Sequence, residues 1–400
     1  VHQKKSVPAA HGGRPVRKRS LPYGRHDIDE ADIQAVIDVL RSDWITTGPK
    51  IDEFEEAFAE RIGARFAISF SSGTAALHGA TFAAGLEQGD EAITSPMTFC
   101  ATANSVLYQG ARPVFADISP DTLNIDPGEI ASRITPRTKV ILPVDYAGHP
   151  ADLDPILDIA DKHGLKVIED ACHALGAEYR GQRIGGISHM TTFSFHPVKH
   201  ITSGEGGMVT TNDPETAQRL RMFRNHGIER DDQQREAQGL WYYQMVSLGY
   251  NYRLTDIGCA LALSQMRKLD DNLARRREIA DRYTLELGSI AGIIPPTVKS
   301  VVSPAWHLYP IRLDLEKLKV GRSSIFDGLR AEGLGVNVHY IPVHMHPYYQ
   351  NRFGYQKGQS PVAEQAYEKL ITLPISHGMS NQDVEDVIEC TGKVLHYCSK

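Results

Sequence analysis

The segment Phe193-Ser194-Phe195-His196-Pro197-Val198-Lys199-His200 sets one lysine between two histidines, just after a short apolar run and just before the glycine-rich Gly204-Glu205-Gly206-Gly207. An ammonium ion crowded by imidazoles and apolar side chains is disfavoured, and a lysine of depressed pKa is a nucleophile. Glu169-Asp170-Ala171 closes the very apolar stretch Lys166 to Ile168, so Asp170 is expected at the rim of a sheet, partly out of water. A carboxylate there needs a cationic partner, or else serves as a helix N-cap. Ser71-Ser72-Gly73-Thr74 opens a helical pattern, bringing hydroxyls and free N–H groups to a place where the helix dipole favours an anion. Simple capping accounts for the same residues. Phe99, in Pro96-Met97-Thr98-Phe99, is placed to cover one face of a flat ring, although core packing is the commoner use of phenylalanine. Asn251-Tyr252-Arg253 has little helical period and reads either as a turn or as a loop crossing into a partner subunit. His339, His344 and His346 invite a zinc reading, but their prolines and tyrosines point to an irregular segment, and no metal is expected.

Groups scattered over so many positions meet only if strands deliver them to one edge. Between about residues 66 and 211, short apolar runs such as Phe66 to Phe70, Ala92 to Thr94, Val140 to Leu142 and Thr191 to Phe193 alternate with helical stretches. Continuous runs this short predict central strands covered on both faces, hence a three-layer α/β/α domain with its ligands beyond the carboxyl ends of the strands. After about residue 270 the pattern changes to a charged helix (Asp270 to Leu287), a strand around Trp306 to Leu313, a helix near Ser323 to Ala331, a strand around Val336 to Tyr340 and a helix after Asn381. A smaller α+β domain is expected there. The division reads as a flexible basic arm over 1–20, a large domain over 21–270 and a small domain over 271–400. Lys4, Lys5, Arg14, Arg17, Lys18 and Arg19 precede the first acid, Asp27, and read as a solvated arm rather than a nucleic-acid tail.

Composition narrows the function classes. With 400 residues, 41% hydrophobic and 23% charged, the chain is long enough for two domains and too apolar for disorder as its main state. No run of roughly 18 apolar residues is present, nor a secretory leader, so the expected compartment is the cytoplasm. A net charge of -6 offers no global attraction to nucleic acid or to an anionic membrane. The five cysteines are scattered and never in a CxxC pair, which fits reduced thiols. There is no Walker-type phosphate loop and no GxGxxG, so the usual ATP and dinucleotide signatures are missing.

An anion cup, an aromatic lid, a rim aspartate and a buried-loop lysine are together the parts that pyridoxal 5'-phosphate requires. Its phosphate needs N–H and hydroxyl donors, its aldehyde an amine, and its ring nitrogen a carboxylate that keeps it protonated. The chain order of cup, then Asp170, then Lys199 matches fold-type I enzymes.

From about Leu21 onward the chain resembles the DegT/DnrJ family of aminotransferases acting on nucleotide-linked keto sugars. The resemblance rests on Trp44-Ile45-Thr46-Thr47-Gly48-Pro49, Ser72-Gly73-Thr74-Ala75-Ala76-Leu77-His78, Glu169 to Gly176, Gly204 to Gly207 and Asn251-Tyr252-Arg253. Residues 193 to 202, His339 to His344 and Pro347-Tyr348-Tyr349 look most like the branch that makes UDP-4-amino-4,6-dideoxy-N-acetyl-β-L-altrosamine for pseudaminic acid. The resemblance implies that Lys199 bonds the cofactor covalently, Asp170 pairs with its ring nitrogen and Phe99 stacks on the ring. It implies phosphate contacts from Ser72, Gly73, Thr74 and Ser194, and from Asn251 of the other subunit of a homodimer with shared active sites. His173 stands where many relatives have Gln, near the ring oxygen. Thr46, His200, Arg253, His339 and Tyr340 are implied at the sugar nucleotide. The implied reaction moves an amino group from L-glutamate, through pyridoxamine 5'-phosphate, to the C-4 ketone of a UDP-linked sugar. Alternatives are transfer at C-3 or C-4 of another UDP- or dTDP-keto sugar, a dehydratase on the same fold, or a scaffold without turnover. Dehydratase relatives carry histidine in place of the lysine, so Lys199 argues against that reading.

Overall fold

The alternation of short apolar runs with helical stretches produces one seven-stranded sheet. The computed structural model describes residues 7–229 and 236–400. Strands β1 (Phe66–Phe70), β2 (Glu91–Thr94), β3 (Arg112–Phe115), β4 (Thr138–Leu142) and β5 (Lys166–Asp170) come first; after the small hairpin of β6 (Glu178–Tyr179) and β7 (Gln182–Arg183), β8 (Met190–Ser194) and β9 (Gly207–Thr211) complete it. The spatial order is β1-β9-β8-β5-β4-β2-β3. Strand β9 runs antiparallel to β1 and β8, while β8 with β5, β5 with β4, β4 with β2 and β2 with β3 are parallel. Every residue of β2 and β9 is buried, as expected when helices cover both faces.

Side-chain alternation divides the core into two layers. Ile141, Val167 and Phe193 pack on one face with Phe54 and Phe58 of the Pro49–Ile62 helix. Their neighbours Val140 and Ile168 pack on the other with Leu77 and Ala80 of the Gly73–Ala83 helix. The expected three-layer α/β/α architecture is present. Beyond it, β10 (Ile228–Glu229) and β11 (Gln244–Met245) form a two-stranded ribbon. The Leu269–Leu287 helix leads into a second core, where β12 (Ile293–Ile294), β14 (Tyr309–Leu313) and β15 (Leu370–Leu373) make an antiparallel sheet against the Arg322–Ala331 and Asn381–Cys398 helices. The intervening β13 (Val302–Ser303) pairs instead with β6, tying the two halves together.

Two expectations need correction. The stretch Val336 to Tyr340 is not a strand: it exchanges backbone bonds with β15 only at Asn337 and Thr372, and then leaves toward Pro342, which has no N–H for a ladder. Residues 1–6 of the expected arm lie outside the described residues, and the remainder is held in place. The N–H groups of Ala9 and Val16 donate to the buried carboxylate of Glu332, at 2.7 and 2.9 Å, and Arg17 pairs with Asp383 at 2.8 Å. Val16 and Leu21 pack on the second core. A cluster of basic residues gives no hint of this, because the anchors come from far along the chain.

Candidate active site

Strand β5 ends on Asp170, and β8, its parallel neighbour, ends on Ser194 and passes into the loop that carries Lys199. That loop folds back on itself. Lys199 N–H donates to His196 C=O at 2.9 Å, Phe195 C=O accepts from the Thr202 hydroxyl at 2.9 Å, and Phe195 N–H donates to Gly206 C=O at 2.9 Å before β9 begins. Glycine at 207 is required sterically, since a Cβ there would run into the Ser72 carbonyl. Gly73 is equally close to Ser194: a Cβ would lie 2.9 Å from that of the serine. Ser72 caps the Gly73–Ala83 helix through a 3.1 Å bond from Ala75 N–H, so the helix N-terminus and the Ser194 hydroxyl face one space.

That space is a cavity of about 510 Å³, and Ser72, Gly73, Thr74, Phe99, Asp170, His173, Ser194, Lys199, His339 and Tyr340 all line it. Phe99 stands at its rim, 58% exposed. Asp170 is buried; its Oδ2 accepts from the Thr102 hydroxyl at 2.6 Å and its Oδ1 from Cys172 N–H at 3.2 Å. Lys199 retains some exposure toward the cavity, yet protein surrounds its amine on the other sides. Desolvation therefore lowers its pKa, Cys172 and Asp170 pull it back up, and Arg276 pushes it down. His173 and His307 are held well below the usual histidine value, first by burial and then by Lys199. Their rings are 4.5 Å apart, and His307 Nε2 lies 3.4 Å from Lys199 Nζ. His173 Nε2 meets the Tyr340 hydroxyl at 3.1 Å, while the Nδ1 atoms of His173 and His307 are buried without a partner.

Several expected residues fall elsewhere. His200 does not line the cavity; it is buried, with its Nε2 3.0 Å from Ala305 C=O. Thr46 and Asn251 are exposed and outside the cavity. Arg253 lines a separate hollow of about 980 Å³ with Trp44, Thr47 and Asn225, which lacks a buried amine, and it donates to Asn225 at 2.5 Å. Two of the three histidines of the rival metal reading have separate partners: His339 meets Thr372 at 3.0 Å, and His344 meets Glu364 at 2.8 Å. Among the described residues no three His, Cys, Asp or Glu side chains gather as metal ligands. His307, Thr102, Tyr23 and Asn337 line the cavity without having been singled out. The only signal for His307 was an imidazole next to the run Leu308 to Leu313, which places it at a strand entrance.

Together, an amine and a carboxylate at neighbouring strand ends, with a helix N-terminus and hydroxyls between them, define a fold-type I pyridoxal phosphate-dependent enzyme. The chain belongs to the DegT/DnrJ/EryC1/StrS aminotransferase family, which it matches over residues 26–391. It is 44% identical to the spore coat polysaccharide biosynthesis protein SpsC of Bacillus subtilis, over 95% of this chain and 99% of that one. Among solved structures, Helicobacter pylori PseC, an aminotransferase of pseudaminic acid biosynthesis, is 33% identical with a TM-score of 0.89, covering 95% of this chain and 100% of that one. The Streptococcus pneumoniae sugar aminotransferase Spr1654 in its pyridoxamine phosphate form is 32% identical with a TM-score of 0.89, covering 94% and 99%. The protein is thus a pyridoxal phosphate-dependent sugar aminotransferase, taking a nucleotide sugar and an amino donor. Its cavity fits the cofactor: donors for a phosphate at one end, a carboxylate for a ring nitrogen, a desolvated amine for the aldehyde, and the unpartnered His173 Nδ1 as a polar atom still to be satisfied. Among the described residues no helix is long and apolar enough to cross a membrane.

Proposed function

We propose that the protein moves an amino group from L-glutamate to the C-4 ketone of a UDP-linked 4-keto-6-deoxy-N-acetyl hexose, giving a 4-amino sugar nucleotide for surface glycans of the pseudaminic acid type. The observation that carries this reading is that Lys199 shares one cavity with Asp170 and with an outer wall of His339, Tyr340 and Asn337. Imidazole, phenol and amide groups suit the hydroxyls and acetamido group of a sugar. The similarity to PseC, an aminotransferase of pseudaminic acid biosynthesis, supports the pseudaminic acid part of this reading, while C-4 and the UDP carrier rest on the sequence resemblance. Cytoplasmic location belongs to the same reading.

In this proposal Ser72, Gly73, Thr74 and Ser194 hold the phosphate, Phe99 covers the ring, and His173 bonds its oxygen. Asn251 reaches the phosphate from the other subunit of a homodimer. Bound pyridoxal phosphate supplies an aldehyde that carries the amino group between substrates and a ring that takes up the electrons of the broken C–H bond. Asp170, oriented by Thr102, keeps the ring nitrogen protonated. Lys199 is the base: burial favours its neutral amine, which takes the proton from the donor's α-carbon and returns a proton in the second half-reaction. His307, neutral and 3.4 Å away, keeps that amine aimed.

The test is a substrate panel. With L-glutamate and matched UDP- and dTDP-keto sugars, mass spectrometry and NMR should show nitrogen gained at C-4 of the UDP sugar, with Lys199→Ala abolishing it. Nitrogen at C-3, turnover of dTDP sugars alone, or loss of a hydroxyl without gain of nitrogen would each replace this reading.

A further inference from the structure

The Leu269–Leu287 helix, which joins the two cores, carries Arg276 with no exposure to solvent at all. A guanidinium in such a place ordinarily faces a carboxylate, because an unpaired buried charge is costly. Here its partners are backbone carbonyls: one nitrogen, Nη1, donates to Trp306 at 3.1 Å, to Ile375 at 3.3 Å and to His307 at 3.4 Å. Nε and Nη2 have no partner. Burial pulls the group's own pKa down to about 10, which leaves it charged at neutral pH.

Nitrogen bases surround this charge. The chain runs from the His307 carbonyl, held by Arg276, to the His307 Nε2, which meets Lys199 Nζ at 3.4 Å. The His200 ring lies 5.7 Å from that of His307. His377, on the loop after β15 and two residues past the Ile375 carbonyl that Arg276 holds, feels the same guanidinium, with Asp27 3.9 Å from its Nε2 and Lys268 also acting on it. Around Lys199 itself stand His173, His200, His307 and His339, with Asp170 and Cys172 opposing them. Asp170 is the carboxylate on that side. Arg276 is the fixed cation set against it.

We propose that Arg276 is a positioning residue of the amino transfer: its buried, carboxylate-free charge favours the neutral amine of Lys199, while Nη1 fixes the Trp306-His307 backbone that aims His307 at that amine. A general base must be unprotonated to accept a proton, and a neighbouring cation is an established way to keep a lysine so. Three carbonyl bonds alone would not require a permanent charge. The inference rests on the reading of Lys199 as the reacting amine.

The test uses the full-length enzyme freed of cofactor and reads the amine directly. Trace acetic anhydride labels neutral amines, and peptide mass spectrometry compares Lys199 with the exposed Lys139 in the same molecule. Arg276→Met removes the charge. His377→Asp leaves Arg276 and its bonds in place but sets a carboxylate beside it, and His377→Asn controls for the altered side chain. At about pH 8 the Met and Asp variants should label Lys199 roughly tenfold more slowly than wild type, with Lys139 unchanged and His377→Asn near wild type. Wild-type labelling in His377→Asp would overturn the proposal, and that variant decides even if Arg276→Met fails to fold. If the amine assignment itself were wrong, Lys199→Ala would still turn over the sugar panel, an outcome independent of the labelling rates.

Discussion

Around Lys199 the side chains that accept protons are kept from doing so by lack of water. His339 is 6% exposed and its pKa falls from 6.5 to about 4, by burial first and by Lys199 second; His78 and His377 also fall to about 4 through burial. His173, His200 and His307 are lowered in the same direction, by burial first. Unfolded, each binds a proton near its ordinary value, so below about pH 6.5 the unfolded chain holds more protons than the folded one. Stability is therefore full above that pH and is lost as pH falls through the folded values, with His339 alone contributing about 3 kcal/mol between 6.5 and 4. The thermal midpoint should drop steeply over this window, and less steeply in His339→Asn; a flat midpoint down to pH 4 would contradict the neutral cluster. Lys199 and Asp170 were legible in sequence because each follows an apolar run. His307, Thr102 and Arg276 were not, since what brings them to the site is tertiary crossing between segments 31 to 108 residues apart. His200, next to Lys199 in sequence, lies buried outside the cavity lining, so adjacency along the chain does not by itself place a side chain in the site.

At the scale of elements, the strands and their connecting helices follow the spacing of apolar residues closely, whereas the N-terminal segment follows one distant acid. Glu332, 0% exposed, accepts from Ala9 N–H and Val16 N–H and pairs with Lys393 at 3.0 Å. We regard residues 7–21 as part of the smaller core for that reason, against a boundary at 271 drawn from pattern alone. Charge counting misreads this segment because Arg17 looks solvated when its partners, Asp383 and Asp386, and the carboxylate that holds the backbone, Glu332, lie more than 300 positions away. Glu332→Ala strands two N–H groups and an ammonium, a loss of about 3 kcal/mol. Limited trypsin treatment should then cut at Arg17, Lys18 or Arg19 well before the body of the protein. An unchanged digestion pattern would show that the strap is held by its apolar contacts instead.

For the whole molecule, three residues of the family resemblance, Thr46, Asn251 and Arg253, lie outside the cavity, and several large apolar side chains near them in sequence are exposed. Trp44 is 55% exposed, Trp241 75%, Met245 64% and Leu248 68%. Exposed apolar side chains of this size suit an interface, and in the proposed homodimer the loop that carries Asn251 would be the one that reaches the partner's cavity. If Asn251 serves the partner's site, complementation follows from counting. Lys199→Ala and Asn251→Ala proteins are each inactive alone, but subunit exchange between equal amounts makes half the dimers mixed. Each mixed dimer holds one site with both defects and one with neither, so activity should return to about a quarter of wild type. Were Asn251 to act within its own chain, every site in the mixed dimer would carry one defect, and exchange would restore nothing. Capture of untagged Asn251→Ala chains by tagged Lys199→Ala chains distinguishes that outcome from a failure to exchange, since it reports mixed dimers whatever their activity.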